Sequence, residues 1–584
     1  MNKLKLLVRP LVSPTLRFVL CLQWLISAPL PAAAAESNPR PAPAPRLVVG
    51  IVVDQMRYDF IYRYWDKYTN SGFKRLLREG TFYRNAQYNY APTYTGPGHA
   101  SIFTGATPSA HGIAGNDWYD RNLGHYMYCA EDTSVTNLGG RKIVPAGQRS
   151  PTNLNVTTIT DELKLAHTNS RVIGVSLKDR AAIFPAGHLA NAAYWFDSKS
   201  GQWISSSYYA FPESKGETFL PEWLRKLNST NNPGQYLTKT WEPIDKESFT
   251  ESASPKKAFS NKLDSSENHL GFPHNLAKIA ENFKEPQFEQ LLYTPYGNKL
   301  TADFAKAAVI GEKLGQCSDR TDFLTINFAS TDYAGHRFGP RSQEVEDVYR
   351  EFDRELGELL TFLSRQAGGP EHLLVFLTAD HGVADVPEFS KDLHLPGGRF
   401  PTGSALEKLN AWIAGRYQKP LILGYTNQQI YLDRDLITAQ HLDLTRIEDE
   451  IRDRLLKEPG VIDVLPTREL PALAAAGTIR AALARGIYPN RSGDLMILLG
   501  SGWLEEDNKN ATSHGTPYQY DTHVPIIFWG WQVPPHREFD EPVDITQIAP
   551  TVAQMLNIQF PSASDNRVLP GLLGIHAKPG TVKR

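Results

Sequence analysis

Short runs of apolar, mostly β-branched residues recur along the chain, and most of them end at or near a charged residue. The runs cover residues 47–54, 171–180, 322–332, 373–382, 494–500 and 524–530. A continuous apolar run of this length is typical of a strand that is buried on both faces of a parallel sheet. Helical patterns lie between several of the runs. The alternation predicts an α/β fold with a doubly wound, mostly parallel sheet flanked by helices.

Two segments carry the helical pattern most clearly. Residues 342–366 place apolar side chains at steps of three and four, and they begin with Ser342 followed by an early glutamate. That opening is typical of a capped amphipathic helix. Residues 544–558 form a second candidate helix. Residues 181–299 and 390–492 fit the rhythm poorly, so we expect them to be insertions that cap one catalytic domain over residues 47–584.

The N-terminus has a different pattern from the rest of the chain. Four Lys or Arg residues within positions 1–17 precede an apolar run, and Ala33 and Ala35 follow it. This arrangement predicts a secretory signal peptide over residues 1–35, and an uncleaved anchor is the alternative. Residues 36–46 are Pro-rich and predict an extended linker. The protein is therefore expected to be exported, either periplasmic or secreted, without a stable membrane anchor.

Composition excludes some partners and leaves others open. The chain has 584 residues, a formal net charge of −2 and 41% hydrophobic residues, which is ordinary for a globular protein. Because no basic excess is present, nucleic acid is not expected as a structural partner. Cleavage of the leader leaves Cys129 and Cys317, which could form one disulfide or remain two thiols. The oligomeric state is not indicated by the sequence.

Ionisable residues stand where the predicted strands end. Ligands of open α/β sheets bind beyond the carboxyl ends of strands, so these residues are candidates for a site. They are Asp54, Lys178, Arg180, Asp332, Asp380 and His381, with His336 four residues after Asp332 and His514 ahead of a further strand. Mixed Asp and His ligation suits zinc, and this set is large enough for two ions. Paired metals are a common solution for phosphoryl transfer.

A threonine stands at the start of a predicted helix, within the stretch NYAPTYTGPGHASIFT at residues 89–104. Thr95 directly precedes a Gly-Pro-Gly bend, and a helix N-terminus behind such a bend favours a bound anion. Thr95 could be a helix cap or a nucleophile activated by a metal. Thr93 is the alternative nucleophile, and His523 is the alternative to His514 as a ligand.

Seven motifs occur together in one order across residues 50–530. They are VVDQMRYDF, TYTGPGHASIFTG, HGIAGNDWYD, SLKDRAAIFPAG, STDYAGHRFG, TADHG and SHGTPYQYDTHVP. In this combination the chain resembles the alkaline phosphatase superfamily, and within it the type I phosphodiesterase/nucleotide pyrophosphatase branch with its phosphate-irrepressible bacterial alkaline phosphatases. The resemblance implies one zinc held by Asp332, His336 and His514, and a second held by Asp54, Asp380 and His381 with Thr95 beside it. It also implies that Asn116, Lys178 and Arg180 bind phosphoryl oxygens.

The resemblance implies an exported two-zinc alkaline phosphatase that hydrolyses small phosphate monoesters through a phospho-threonine. A phosphodiesterase or nucleotide pyrophosphatase on the same scaffold is the alternative. Lys178 and Arg180 favour the monoesterase, because a monoester carries one more negative charge for them to bind. A sulfatase is disfavoured, since the resembling sulfatases carry Cys or Ser where Thr95 stands. A binding protein without catalysis is disfavoured by the complete set of candidate ligands.

Overall fold

The apolar runs form most of the central sheet in the computed structural model. The structure describes residues 43–140, 145–210, 220–230, 232–245, 249, 263, 271–281, 288–473, 478–505 and 511–572. The predicted signal peptide (1–35) lies outside the described residues, as does the predicted linker up to residue 42. Among the described helices, none combines the length and the apolar character that crossing a membrane requires.

The strands are short, and most follow the predicted runs. In chain order they are β1 (Leu47–Val53), β2 (Gly80–Gln87), β3 (Asp117–Asp120), β4 (His125–Tyr128), β5 (Asn137–Leu138), β6 (Val172–Ser176), β7 (Ala192–Asp197), β8 (Gln202–Ser206), β9 (Thr240–Trp241), β10 (His274–Asn275), β11 (Asp322–Phe328), β12 (Leu373–Thr378), β13 (Gly398–Phe400), β14 (Ile422–Thr426), β15 (Gln429–Leu432), β16 (Val461–Pro466), β17 (Leu495–Leu499), β18 (Trp503–Glu505), β19 (His523–Gly530), β20 (Arg537–Phe539) and β21 (Val543–Asp544).

The helices lie between these strands and cover the sheets. In chain order they are α1 (Phe60–Arg63), α2 (Phe73–Glu79), α3 (Thr95–Thr104), α4 (Pro108–His111), α5 (Ile159–Ala166), α6 (Asp179–Ala186), α7 (Glu222–Thr230), α8 (Leu276–Glu281), α9 (Glu289–Leu292), α10 (Pro295–Gly311), α11 (Ser330–Phe338), α12 (Gln343–Ala367), α13 (Pro387–Asp392), α14 (Thr402–Tyr417), α15 (Arg434–Ala439), α16 (Leu444–Leu455), α17 (Ile479–Gly486), α18 (Gln519–Thr522) and α19 (Ile548–Leu556).

The central sheet has 11 strands in the order β20-β2-β19-β12-β1-β11-β6-β7-β8-β5, with β21 also paired to β2. The five strands from β12 to β7 are mutually parallel, and β19 and β8 continue the sheet in antiparallel pairing on either side. The edges consist of very short strands. The predicted α/β fold with a mostly parallel sheet is confirmed.

A second, smaller sheet has the order β14-β15-β17-β16. Its strands pack with the neighbouring helices around an apolar cluster of its own, which includes Leu409, Ile430, Ile447 and Leu495. The run at residues 494–500 forms β17 in this second sheet, so its assignment to the central sheet was wrong. The apolar pattern identified a buried strand correctly but carries no information on which sheet the strand joins.

The two predicted helices are observed close to their expected bounds. Helix α12 begins after Ser342, whose side chain accepts a hydrogen bond from the amide of Val345. The second candidate starts with a 3₁₀ turn at Ile545–Gln547 and continues as α19. Both cysteines of the described residues, Cys129 and Cys317, are free thiols. Strands β7 and β8, from the segment 181–299, extend the central sheet, and the insertion boundaries themselves stay a prediction.

Candidate metal centre and nucleophile

Charged side chains meet at one edge of the central sheet, where parallel strands end. β1 pairs in parallel with both β11 and β12, and β11 pairs with β6. Asp54 directly follows β1, Asp332 lies in the first turn of α11 after β11, and Asp380 and His381 follow β12. Lys178 comes two residues after β6. None of these five residues is more than 4% exposed, so their charges must be balanced within the cluster.

The first group of candidate ligands consists of Asp332, His336 and His514. Their ligand atoms all lie within 4.8 Å of one another. His336 is one helical turn after Asp332 on α11, and its Nε2 is 3.2 Å from Asp332 Oδ1. His514 reaches the same oxygen from the loop before α18, with Nε2 at 3.7 Å. The structure therefore brings together the three residues of the first implied zinc site.

The second group lies directly beside the first. Asp54, Asp332 and His381 also have ligand atoms within 4.8 Å of one another. His381 Nε2 is 3.7 Å from Asp54 Oδ1 and 3.2 Å from Asp380 Oδ2. The His381 and His514 rings stack, with centroids 3.5 Å apart. The implied ligands Asp54, Asp380 and His381 are thus in contact, and Asp332 offers an oxygen to both groups.

The three imidazoles are oriented by backbone carbonyl groups. The Nδ1 atoms of His336, His381 and His514 lie 2.9, 3.0 and 2.7 Å from the carbonyl oxygens of Thr512, Gly382 and Thr93. A carbonyl oxygen only accepts hydrogen bonds, so Nδ1 carries the proton in each ring. In the neutral ring Nε2 then keeps its lone pair, and all three Nε2 atoms face the cluster. This is the usual arrangement of metal-binding histidines.

The buried polar atoms of the cluster fit a bound cation. Within the described part of the chain, Asp54 Oδ1, Asp380 Oδ2 and His381 Nε2 are buried and lack a hydrogen-bond partner. Buried polar atoms are almost always satisfied, and a metal ion is one way to satisfy them. Oxygen and nitrogen donors of this kind suit zinc. The residues present therefore fit two metal ions.

The electrostatics of the cluster are dominated by three aspartates and one lysine. Burial and the charge of Asp380 raise the pKa of Asp54 to about 7. Burial is the largest single influence on Asp332 and opposes its ionisation, but the Lys178 ammonium together with His336 and His514 outweighs burial and holds the pKa of Asp332 well below its usual range. Lys178 Nζ lies 2.9 Å from Asp54 Oδ2 and 2.6 Å from Asp332 Oδ2. Close acidic groups of this kind stabilise added positive charge.

Thr95 is the first residue of α3 and is 1% exposed. The N-cap residue of α3 is Tyr94, whose side chain makes no capping hydrogen bond, and Thr95 lies inside the helix as its first residue. A role of Thr95 as a plain helix cap is therefore not supported. The hydroxyl of Thr93, the alternative nucleophile, donates to the carbonyl of Thr516 at 3.1 Å. A Cβ added at Gly98 would lie 2.3 Å from the Asp380 carbonyl oxygen, so glycine allows α3 to lie against the ligand loop.

The three predicted phosphoryl-binding residues approach from different elements. Asn116 precedes β3, and its Oδ1 accepts a hydrogen bond from the amide of Gly96 at 2.8 Å, next to Thr95. The run at residues 171–180 was predicted to be a strand as far as Arg180, and this prediction was wrong at its end. β6 ends at Ser176, Lys178 caps α6, and Arg180 lies in the first turn of that helix. Arg180 donates from Nη1 to the hydroxyl of Tyr128 at 3.0 Å.

Comparison with known proteins identifies the family. A profile described as "type I phosphodiesterase / nucleotide pyrophosphatase" matches residues 48–523. The chain belongs to this family. "Alkaline phosphatase PafA" of Elizabethkingia meningoseptica is 41% identical, over 91% of this chain and 95% of its own length. "Alkaline phosphatase PhoV" of Synechococcus elongatus is 39% identical, over 91% and 93%. A crystal structure of wild-type PafA has a TM-score of 0.84 and 39% identity, and the match covers 91% of this chain and 99% of that chain.

The resemblance inferred from the seven motifs is therefore confirmed, and the chain is an enzyme of a hydrolase family. Sequence reasoning missed two residues that hydrogen-bond to the candidate ligands. The Gln55 amide nitrogen Nε2 donates to Asp332 Oδ1 at 2.6 Å, and its backbone N–H donates to Asp380 Oδ1 at 3.1 Å. Asn327 Nδ2 donates to Asp54 Oδ2 at 3.2 Å. Gln55 directly follows a candidate ligand, which was the available signal.

The remaining histidines near the motifs lie outside the two groups. The ring of His523, the alternative ligand, stacks on Tyr58 with centroids 4.2 Å apart, and its Nε2 lies 2.8 Å from the Arg84 carbonyl oxygen. His99 Nδ1 is 2.9 Å from the Thr95 carbonyl oxygen and 3.4 Å from Asp380 Oδ2. Burial lowers the pKa of His99 to about 4, so this ring is neutral.

Proposed function

We propose that this chain is an alkaline phosphatase that hydrolyses phosphate monoesters with two zinc ions and a covalent phospho-threonine at Thr95. One observation carries the proposal. Three imidazole Nε2 atoms and unpaired carboxylate oxygens meet where the central parallel strands end, and α3, which begins with Thr95, packs against Asp380. Relatives named alkaline phosphatases at 39–41% identity support phosphatase activity.

In this proposal Asp332, His336 and His514 hold one zinc, and Asp54, Asp380 and His381 hold the other. When bound, the pair supplies Lewis-acid chemistry, which stabilises negative charge on the attacking and leaving oxygens. The protein contributes orientation. Carbonyl groups fix the three imidazoles through Nδ1, and Gln55 bridges carboxylates from two different strand ends.

The reaction proceeds by two displacements at one phosphorus. The Thr95 hydroxyl loses its proton as Oγ attacks phosphorus, the bond to the ester oxygen breaks, and the leaving oxygen takes up one proton and departs as the alcohol. Water then attacks the same phosphorus and gives up one proton, the Oγ–P bond breaks, and Thr95 Oγ takes up one proton as phosphate departs. Thr95 begins α3, a helix of ten residues, so its N-terminal amides and dipole favour the phosphoryl dianion.

Asn116, Lys178 and Arg180 bind the phosphoryl oxygens in this proposal. Charge-assisted contacts from Lys and Arg favour a dianionic monoester over a monoanionic diester. Support comes from the structure of a PafA mutant, 40% identical over 90% of this chain, which is substituted at a Thr, an Asn, a Lys and an Arg. Those positions are separated by 21, 62 and 2 residues, as are Thr95, Asn116, Lys178 and Arg180 here.

A diesterase or nucleotide pyrophosphatase remains the second candidate, because the family description includes both activities.

We further propose that residues 1–35 direct export and are removed, and that residues 181–299 and 390–492 are insertions in one catalytic domain. N-terminal sequencing of the mature protein from the periplasm or medium tests the first point. A mature chain that begins at Met1 would contradict it.

The test of function compares p-nitrophenyl phosphate with bis-p-nitrophenyl phosphate on wild type and Thr95→Ala, with zinc measured on the same samples. We expect a monoester preference of orders of magnitude and about two zinc ions per chain. We also expect Thr95→Ala to lose activity but keep its zinc. A preference for the diester would replace the monoesterase by the second candidate. A metal-free protein without either activity would contradict the catalytic assignment.

A further inference from the structure

Two of the three proposed phosphoryl-binding residues, Asn116 and Arg180, are joined by one hairpin. Asn116 immediately precedes β3, and Cys129 immediately follows β4. The Asn116 carbonyl oxygen accepts a hydrogen bond from the Cys129 amide at 2.8 Å. Tyr128, the last residue of β4, accepts a hydrogen bond from Arg180 and donates one to Asp179. A shift of the β3–β4 hairpin would therefore move Asn116 and release Arg180 together.

This hairpin is held from the other side by the tight turn between β14 and β15, which belongs to the second sheet. The hydroxyl of Tyr126 accepts a hydrogen bond from the backbone amide of Tyr425 at 2.9 Å, and it donates one to the Tyr425 carbonyl oxygen at 3.3 Å. Asn427 Nδ2 donates to the carbonyl of Asp117 at 2.6 Å. A Cβ at Gly115 would lie 2.2 Å from Asn427 Nδ2, so the contact comes within one residue of Asn116.

The turn has a defined conformation and is anchored in the second sheet. Asn427 and Gln428 have φ angles of 53° and 60°, and Thr426 pairs with Gln429 across them. Two consecutive left-handed residues between paired strands are typical of a type I′ hairpin turn, which favours asparagine. The Gln428 carbonyl accepts the amide of Ile497 in β17 at 2.8 Å. The turn is thus fixed relative to the second sheet.

We propose that Asn427 and Tyr126 are positioning residues for the phosphoryl-binding side chains Asn116 and Arg180, and that they act through the β3–β4 hairpin. The inference rests on the proposed function, in which those two side chains bind phosphoryl oxygens. Neither Asn427 nor Tyr126 contacts the metal ligands or Thr95. They set the position of the hairpin, which limits how well both phosphoryl contacts form in the transition state.

The experiment compares Asn427→Gly with the matched control Gln428→Gly in the zinc-loaded full-length enzyme. Both substitutions place glycine in the same turn at a left-handed residue, and only the first removes the hydrogen bond to Asp117. We expect Asn427→Gly to lower kcat/KM for p-nitrophenyl phosphate about fivefold, the value of one lost hydrogen bond. The diester bis-p-nitrophenyl phosphate should lose about twofold or less, because fewer of its charges depend on Arg180.

Three further measurements separate positioning from a general loss of structure. The inhibition constant of inorganic phosphate should rise about fivefold in Asn427→Gly, in step with the loss of monoesterase activity. Tyr126→Phe, which removes the other contact, should change the monoester-to-diester ratio in the same direction. Zinc content and melting temperature should match those of Gln428→Gly, since destabilisation alone would lower both activities equally.

Several results would overturn the inference. Equal losses on monoester and diester in Asn427→Gly would show that the contact only stabilises the fold. Equal behaviour of Asn427→Gly and Gln428→Gly would show that the Asp117 contact does not matter. If the wild type hydrolyses neither substrate, the proposed function fails by itself, and direct binding of inorganic phosphate decides the inference. Weaker binding in Asn427→Gly alone supports it, and equal binding in both variants contradicts it.

Discussion

The candidate metal ligands and the proposed phosphoryl-binding side chains are built into the protein in two different ways. Asp54 directly follows β1 and Asp380 lies two residues after β12, whereas Asp332 and His336 lie on the helix that begins two residues after β11. Asn116 and Arg180 come from a hairpin and a helix start, and they are joined through Tyr128 and Cys129. The first set rests on the core of the central sheet, whereas the second depends on contacts between peripheral elements.

This difference separates two properties that one active site needs. Ligands at the ends of buried parallel strands are held by the same ladder that holds the core, so a metal site there is pre-organised. The β3–β4 hairpin is instead held by hydrogen bonds to the second sheet, so substitutions there can change its position without disturbing the core of the central sheet. We therefore expect metal binding and phosphoryl recognition to be separable by substitution, and the following predictions test the separation from the largest effect to the smallest.

Replacement of a metal ligand should have the largest effect. His381→Ala removes a buried imidazole from the second ligand group, and we expect loss of zinc and a fall of about 10⁴-fold or more in kcat/KM for the monoester. His523→Gln is the matched control, because His523 lies against Tyr58 outside both groups. Metal analysis and steady-state kinetics on both variants check the prediction. Full zinc content in His381→Ala would contradict the ligand assignment.

Thr95→Ala should remove the nucleophile and leave the metal ligands in place. We expect activity to fall about a thousandfold or more, because the hydroxyl that forms the covalent ester in the proposed reaction is lost. The zinc content should remain at the wild-type value. Thr95→Ser keeps a hydroxyl and serves as the control, with substantial activity retained. Wild-type activity in Thr95→Ala would assign the nucleophile elsewhere.

Arg180→Ala should affect recognition without affecting metal binding. The loss of charge-assisted contacts to a phosphoryl oxygen predicts a fall of about 10- to 100-fold in monoester kcat/KM. The diester should lose less, so the ratio of the two substrates changes. Kinetics with both substrates and zinc analysis provide the measurement. A parallel loss of zinc would show that the two parts of the site are not separable.

Gln55→Gly should show the opposite pattern from Arg180→Ala. The substitution keeps the left-handed backbone, since Gln55 has a φ of 65°, and removes the amide that binds Asp332 Oδ1. We expect zinc affinity to fall about 10- to 100-fold, as for other groups that orient ligands. At saturating zinc, kcat should return close to wild type. Competition with a chelator measures the affinity, and an unchanged affinity would contradict the role.

The smallest expected effect lies outside the site. Ser342→Ala removes the N-cap of α12 and should lower the free energy of unfolding by about 1 kcal/mol. The kinetic constants should not change, because α12 supplies none of the candidate ligands. Urea unfolding followed by circular dichroism, together with monoester kinetics, checks both statements. Ser342→Thr, which can still cap, should be close to wild type in stability.

The two parts of the site also differ in how well the sequence predicts them. An acid at the end of a β-branched apolar run is a local signal, so the sequence alone places Asp54 and Asp380 at one sheet edge. The order of the motifs supplied the rest of the ligand set. The sequence could not predict that Asp332 belongs to both ligand groups, because only the side-chain geometry shows which oxygen each imidazole approaches.

The peripheral elements were harder to predict. Lys178 and Arg180 follow an apolar run, and a sequence alone does not show that β6 stops at Ser176. There the Ser176 hydroxyl donates a hydrogen bond to Asn327 Oδ1 and accepts one from the backbone amide of Lys178. These two hydrogen bonds stabilise the turn that leads from β6 into α6. The hydrogen bond from Asn427 to Asp117 in the β3–β4 hairpin joins residues more than 300 positions apart. No local pattern encodes such a contact.

The short edge strands of the central sheet have a consequence for behaviour at high concentration. At one edge the last strand is β5, which has two residues. At the other edge, β20 with three residues and β21 with two residues cover part of the outer side of β2. A long unpaired edge would offer a row of backbone donors and acceptors to a second molecule. Here each edge offers only a few. The fold thus limits edge-to-edge aggregation even though its sheet is wide.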